Sequence, residues 1–100
     1  MDTAGKLFLL LTKDRQRLLV KSGVTISAIR LLDQLSSHPI VTLPLAMEIL
    51  ETTKPTAAKA IDALRKTKIL SETTGKQRDR VYAYKSYLEL LTGDTEQPIP

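Results

Sequence analysis

The feature of this sequence best suited to binding a ligand is the positive charge between Thr52 and Lys85. The stretch holds nine basic and three acidic residues, a net charge of +6, whereas the whole chain carries +4. A field concentrated on one part of a surface attracts polyanions over long distances. The type and clustering of these side chains therefore indicate phosphate binding, with DNA as the expected partner. A solvated helix face followed by a charged loop is the alternative interpretation.

Side chains suited to catalysis or metal binding are scarce. The chain has no cysteine, and its one histidine, His38, precedes Pro39 at the predicted end of a helix. Neither a nucleophile–base pair nor a metal-ligand cluster can be assembled from the remaining residues. The four glycines are isolated from one another, so no phosphate-binding loop is predicted. We predict that the chain is not an enzyme, uses no cofactor or metal, and has no small-molecule substrate.

The basic residues fall within an ordered set of elements from Leu43 to Tyr84. Residues 43–50 and 54–68 have helical patterns and are separated by the polar turn 51–53, while residues 70–84 alternate as two strands around a tip with Gly75. The β-branched segment 40–42 is expected to be a small strand that pairs with this hairpin. This order is that of a winged helix-turn-helix. The predicted fold is therefore α+β and mainly helical, with a three-helix core, a small β-hairpin wing, and additional N-terminal and C-terminal helices.

The second of these helices is the predicted recognition helix. At about 100° per residue, Ala57, Ile61 and Leu64 fall on the side that faces the core. Its opposite side carries no Arg, Asn or Gln, the side chains that read base edges bidentately, and Asp62 lies near the edge of that side, where its carboxylate repels phosphate. Weak sequence specificity is therefore predicted. Cations at the hairpin tip are expected to hold phosphates. The predicted DNA-binding residues are Thr53, Lys54, Thr56, Lys59 and Lys66 on the helix and Lys76, Arg78 and Arg80 on the wing.

Two further helices are predicted ahead of this segment. The first spans residues 6–20, and its Phe8–Leu11 run spreads apolar side chains more widely than one buried face requires. We expect a second copy of the chain, in a homodimer, or a neighbouring domain to cover the other side. Residues 13–17 are expected to form a solvated turn of this helix. Thr25 or Ser27 can cap the next helix, whose predicted buried positions are Ala28, Leu31, Leu32 and Leu35.

The sequence predicts three parts along the chain. Residues 1–22 form an N-terminal helix for packing or dimerisation, residues 23–92 form the winged helix-turn-helix domain, and residues 93–100 form a flexible tail. No apolar run has the length of a membrane span or the pattern of a signal peptide. A cytoplasmic location without membrane contact is therefore expected.

The hairpin with its Thr74-Gly75-Lys76 tip, followed by Tyr87-Leu88, is the most specific motif of the chain. Together with segments 39–42, 54–57, 60–64 and 69–70, it resembles the winged helix-turn-helix at the C-terminus of many bacterial Fic-family proteins. The resemblance covers residues 5–91. It implies an accessory module that binds DNA in transcription regulation or positions a protein partner, with the first helix against a Fic catalytic domain as one arrangement.

The resemblance does not extend to Fic catalysis, the transfer of AMP or a related group from a nucleotide to a target hydroxyl. That activity requires a His-Pro-Phe-x-Asp-Gly-Asn-Gly-Arg type motif, whereas His38-Pro39 is followed here by Ile40-Val41-Thr42-Leu43. A longer parent protein could carry it. Ala58 occupies a position that is often polar in such modules, and Lys68 stands where they usually have Gly. A left-handed Lys68 would cost about 1 kcal/mol; the other expectation is a helix that runs one residue further.

Overall fold

A computed structural model describes residues 3–21, 25–75 and 80–92 of the chain. Within them it is α+β and mainly helical, with five helices and one three-stranded antiparallel sheet, which confirms the predicted class. The elements are α1 (Thr3–Leu19), α2 (Ile26–Gln34), β1 (Ile40–Thr42), α3 (Leu43–Leu50), α4 (Lys54–Lys66), β2 (Ser71–Glu72), β3 (Val81–Ala83) and α5 (Lys85–Thr92). The predicted tail, 93–100, lies outside the described residues.

Threonines stand at the starts of three helices. Thr25 and Thr42 accept hydrogen bonds from backbone N–H groups of the first turns of α2 and α3, at 3.2 and 3.3 Å. Each oxygen satisfies a donor that has no partner within the helix, and of the two residues predicted to cap α2, Thr25 is the one that does so. Thr53 occupies the cap position of α4 but makes no such bond. Its hydroxyl instead donates to the hydroxyl of Thr56 at 3.1 Å.

The helices α3 and α4 end in the same way, with a residue in the left-handed conformation. Glu51 follows α3 with φ 51°, and Lys68 follows α4 with φ 66°. After α4, the N–H groups of Lys68 and Ile69 donate to the carbonyls of Arg65 and Leu64, both at 2.9 Å. This pair of bonds is a Schellman motif, in which glycine is the usual left-handed residue. The helix therefore ends at Lys66, and the expectation that it runs further is wrong.

The sheet has the order β1-β3-β2, so β3 is its central strand. Val41 of β1 and Glu72 of β2 both face Tyr82 of β3 in antiparallel register. The pairing predicted between segment 40–42 and the hairpin is confirmed. Because β1 leads directly into α3, it fixes the start of that helix against the two hairpin strands.

One hydrophobic core joins all five helices and the sheet in the described part of the chain. The predicted inner faces of α2 and α4 are confirmed, since Leu31 and Leu64 have no exposed surface and Ile61 has 3%. On α5, Tyr87 stacks on Tyr84 with ring centroids 5.5 Å apart, and its hydroxyl donates to the carbonyl of Ser36 at 2.9 Å. The core cluster is Leu18, Ala28, Leu31, Leu32, Leu35, Val41, Ala46, Leu50, Ala57, Ala60, Ile61, Leu64, Ile69, Leu70, Tyr82, Tyr84 and Tyr87.

The expectation that residues 13–17 form a solvated turn is wrong at Asp14, which is only 2% exposed. Its carboxylate accepts hydrogen bonds from the Tyr84 hydroxyl at 2.6 Å and from the Arg17 guanidinium at 2.8 Å. Arg17 also donates to the carbonyl of Thr67, at the C-terminal end of α4. Burial of the Tyr84 hydroxyl, with its bond to Asp14, raises the pKa of that group above its usual value of 10. This polar network joins α1 to the end of α4 and to the residue that follows β3.

Candidate nucleic-acid interface

The outer side of α4 carries the predicted helix residues. Lys54, Lys59 and Lys66 are exposed, while Thr56 is half-buried and bonded to Thr53. Among the described residues, no carboxylate forms an ion pair with Lys54 or Lys59. These two ammonium groups are therefore available to phosphate oxygens. They lie at the start and in the middle of the helix, about 7.5 Å apart along its axis at 1.5 Å per residue.

Asp62 is the acidic group on this side of α4. Its carboxylate lies 3.1 Å from the ammonium of Lys66 and 3.7 Å from the guanidinium of Arg65. These are the i, i+4 and i, i+3 spacings at which helical side chains meet. Asp62 therefore offsets part of the positive charge at the C-terminal half of α4, and the exposed Lys66 ammonium forms an ion pair with it.

Arg65 is a cation that the sequence-based set of site residues missed. Its guanidinium carbon lies 5.9 Å from the ring centroid of Tyr82, within the range of a cation–π contact. Arg65, Lys59 and Tyr82 line a surface groove of 380 Å³ between α4, β3 and the start of α3. The exposed methyl of Ala58 also lines this groove. The Asp62–Arg65 spacing was visible in the sequence, but the contact with Tyr82 depends on how the hairpin packs.

A second groove, of 480 Å³, connects α4 to the hairpin. It is lined by Lys66 and Lys68 from the end of α4 and by Ser71 and Glu72 of β2, with Arg65 and Asp62 shared between the two grooves. The helix and the β2 strand of the hairpin are thus neighbours on one surface. This groove has acidic as well as basic walls, since Asp62 and Glu72 both reach it.

Glu72 organises the turn at the start of the hairpin tip. Its carboxylate accepts hydrogen bonds from the Thr74 hydroxyl, from the Thr74 N–H at 2.9 Å and from the Gly75 N–H at 2.6 Å. The Thr74 hydroxyl, the two N–H groups and the positive charge of Arg80 hold the pKa of Glu72 below its usual range. Gly75 has φ 68°, a left-handed conformation that glycine adopts without strain. The path of the chain into the tip is therefore set by Glu72 and Gly75.

The predicted wing residues are described only in part. Arg80 is half-buried beside β3 and lies near Glu72. Lys76 and Arg78 lie outside the described residues, so the structure says nothing about where they stand relative to α4. Of the predicted site residues, Thr53 and Thr56 are therefore in contact, and Lys59 lines the groove between α4 and β3. Arg80 lies on the hairpin.

Other kinds of site find little support in the described part of the chain. His38 is half-buried, and its backbone N–H donates to the carbonyl of Gln34 at 2.9 Å, which closes the end of α2. No group of three His, Cys, Asp or Glu side chains among the described residues is placed to hold a metal ion. Over the same residues, no helix combines the length and apolar character needed to cross a bilayer.

Comparison with known proteins does not assign the chain to a family. No protein-family model matches it, and no curated protein matches its sequence.

Proposed function

We propose that the chain is a winged helix-turn-helix module that binds DNA through α4 and the β2–β3 hairpin. The observation that carries the proposal is the placement of α4 among its neighbours. It follows α3 after the turn at residues 51–53, buries its apolar side in the core, and presents lysines to solvent next to β2 and β3. A helix held in this way can enter the major groove while a hairpin contacts the backbone beside it.

Electrostatics at the start of α4 support phosphate binding. Lys54 and Lys59 are exposed and make no ion pair in the described part of the chain. The N-terminus of a helix carries a partial positive charge that favours anions. The Thr53 side chain makes no bond to the backbone N–H groups there. We expect DNA to approach α4 at this end, since Asp62 offsets the cations at the other.

The same arrangement favours weak sequence preference. Thr56 and Lys59 are the polar side chains of the outer face that can approach a base edge. Thr56 can contact several bases, and of the two only Lys59 can make a bidentate contact, with guanine. Arg65 could make one, but it is held over Tyr82 and beside Asp62. Most of the binding free energy is therefore expected from phosphates and to depend on salt.

The test is titration of labelled DNA duplexes of unrelated sequence at several salt concentrations. With about four to six phosphates neutralised, log K should fall against log salt with a slope of roughly −4 to −5. The double variant Lys54→Gln/Lys59→Gln should reduce the steepness of that slope by about 2. A matched control, Lys6→Gln/Lys13→Gln, removes the same charge from exposed positions on α1 and should leave the slope close to that of the parent chain.

Two outcomes would contradict the proposal. One is the absence of binding at low salt, where electrostatic attraction is strongest. The other is equal loss in the site and control variants, which would mean that net charge alone attracts DNA.

A second candidate function is protein interaction, as in an accessory or regulatory domain of a Fic-type AMP-transferase. The observation that favours it is on and just after α1, where Phe8 is 68% and Val20 is 84% exposed. Large apolar side chains that remain in water in a folded domain are typical of an interaction surface. The resemblance to the C-terminal module of Fic-family proteins is part of this proposal, and the AMP-transfer itself would reside in another domain.

A further inference from the structure

One side of α1 packs into the core and the opposite side does not. On the inner side, Leu18 has no exposed surface and Asp14 is bonded to Tyr84. At about 100° per residue, four apolar side chains fall within about 120° of one another on the outer side. They are Phe8, Leu9, Leu19 and Val20, all more than half exposed. The width of this outer stripe is that of a helix face normally covered by another element.

Shallow grooves run beside the outer stripe. One, of 270 Å³, lies between α1 and α2 and is lined by Phe8, Leu11 and Leu32. The other, of 510 Å³, follows α1 itself past Leu9 and Val20. Thr12 lines both grooves, so the two grooves are neighbours on the surface of α1. Such a surface accepts the apolar side chains of a second helix packed along α1.

The charges beside the stripe are positive. Residues 3–21 contain five basic residues and one acidic residue, Asp14, which is buried and already bonded to Arg17. Arg15 is paired with Asp33 at the rim of the groove between α1 and α2. Lys6, Lys13 and Lys21 are exposed, and no carboxylate in the described part of the chain pairs with them.

We propose that the outer stripe of α1 binds an amphipathic helix of another protein whose apolar face is flanked by Asp or Glu. Charges that flank the apolar seam between two helices select the partner, because opposite charges attract and like charges repel. A second copy of this chain would set lysines against lysines across the seam. This partner would serve the protein-interaction function proposed above, and the inference rests on that function. Binding of the partner helix is independent of DNA binding.

A lipid surface fits the outer stripe less well than a protein helix does. Gln16 lies in the middle of the stripe, between Leu9 and Val20 along the same groove. Its amide would lose its hydrogen bonds to water in an apolar lipid phase, whereas a carboxylate or amide of a protein partner replaces them. The Thr12 hydroxyl is already satisfied, since it donates to the Phe8 carbonyl at 2.9 Å.

The test uses two synthetic helical peptides that share one leucine stripe, flanked by Glu in the first and by Lys in the second. The full chain should bind the Glu peptide at least tenfold more tightly, with amide NMR shifts centred on Thr12 and Gln16. The variant Leu9→Gln should weaken that binding at least tenfold. The control Ile40→Thr, at a side chain that is also 51% exposed but lies on β1, should leave it unchanged. Circular dichroism of each variant reports whether the fold is kept.

Four outcomes would overturn the proposal. The first is equal binding of the two peptides, and the second is binding of neither. The third is a concentration-dependent doubling of mass that Leu9→Gln abolishes, which would assign the stripe to a second copy. The fourth is binding to phosphatidylserine vesicles in the absence of peptide binding. The DNA titration is run on the same variants, so loss of the peptide interaction and loss of DNA binding are seen separately.

Discussion

Replacing Lys68 with glycine should raise the free energy of unfolding by about 0.5–1 kcal/mol. Lys68 sits at φ 66° in the Schellman motif that ends α4, a conformation that costs a non-glycine residue roughly 1–2 kcal/mol. Glycine relieves that strain, but it also gives the unfolded chain more conformational freedom, which lowers the free energy of unfolding by about 0.4–1 kcal/mol. The backbone bonds from Lys68 and Ile69 do not involve the side chain, so they are kept.

Urea denaturation followed by circular dichroism measures this change, with Lys68→Ala as the matched control. The alanine variant removes the charge but keeps the strained conformation. The difference in free energy of unfolding between the glycine and alanine variants therefore measures the backbone effect alone. Glu51→Gly tests the same reasoning at the end of α3, where φ is 51°. A glycine variant no more stable than the alanine variant would refute the argument, since the left-handed backbone would then carry no cost.

Three further predictions concern a buried bond, a helix cap and a charge. Tyr84→Phe removes a hydrogen bond to the buried Asp14 carboxylate and should cost about 1.5–3 kcal/mol in urea unfolding. Because the pKa of Tyr84 is raised in the folded state, this group stabilises the fold fully below pH 10. Above pH 10, the free energy of unfolding of the parent chain should therefore fall by about 1.4 kcal/mol per pH unit on account of Tyr84, and the variant should lack this fall. Thr25→Ala should cost about 1 kcal/mol while Thr53→Ala costs less than about 0.5, since only the first accepts a backbone bond; equal losses would contradict this. Asp62→Asn should tighten DNA binding by about twofold to fivefold at low salt, and unchanged affinity would mean that its two ion pairs do not compete with phosphate.

Local patterns in the sequence were sufficient to predict the buried sides of α2 and α4, whereas α1 begins at Thr3 and not at the predicted residue 6. The spacing of Leu31 and Leu32 on α2 and of Ile61 and Leu64 on α4 marks one buried side of a helix, and each of these residues is in the core. Thr25 was one of two residues predicted to cap α2, and its hydroxyl oxygen accepts the hydrogen bond of a cap. These signals depend on residues within a few positions of one another, so they can be read without knowledge of the fold.

Contacts between distant parts of the chain could not be predicted in the same way. Asp14 lies in a run of charged and polar residues and has the appearance of a solvated side chain, yet its partner Tyr84 is 70 positions away. Arg65 was counted among the basic residues, but its contact with Tyr82 requires the packing of the hairpin against α4. The left-handed conformation at Lys68 was one of two expectations, because the resemblance marked the position as a glycine site while the helical pattern itself continued.

The most direct test of the proposed DNA-binding function is the affinity of the chain for duplex DNA when the wing cations are reversed. The triple variant Lys76→Glu/Arg78→Glu/Arg80→Glu is compared with Lys6→Glu/Lys13→Glu/Lys21→Glu, which changes the net charge equally on and just after the first helix. We predict that the wing variant loses salt-dependent binding at low salt, while the α1 variant keeps most of the affinity and the slope of the parent chain. Binding that survives reversal of the wing, or that is lost equally in both variants, would contradict a DNA interface formed by α4 and the hairpin.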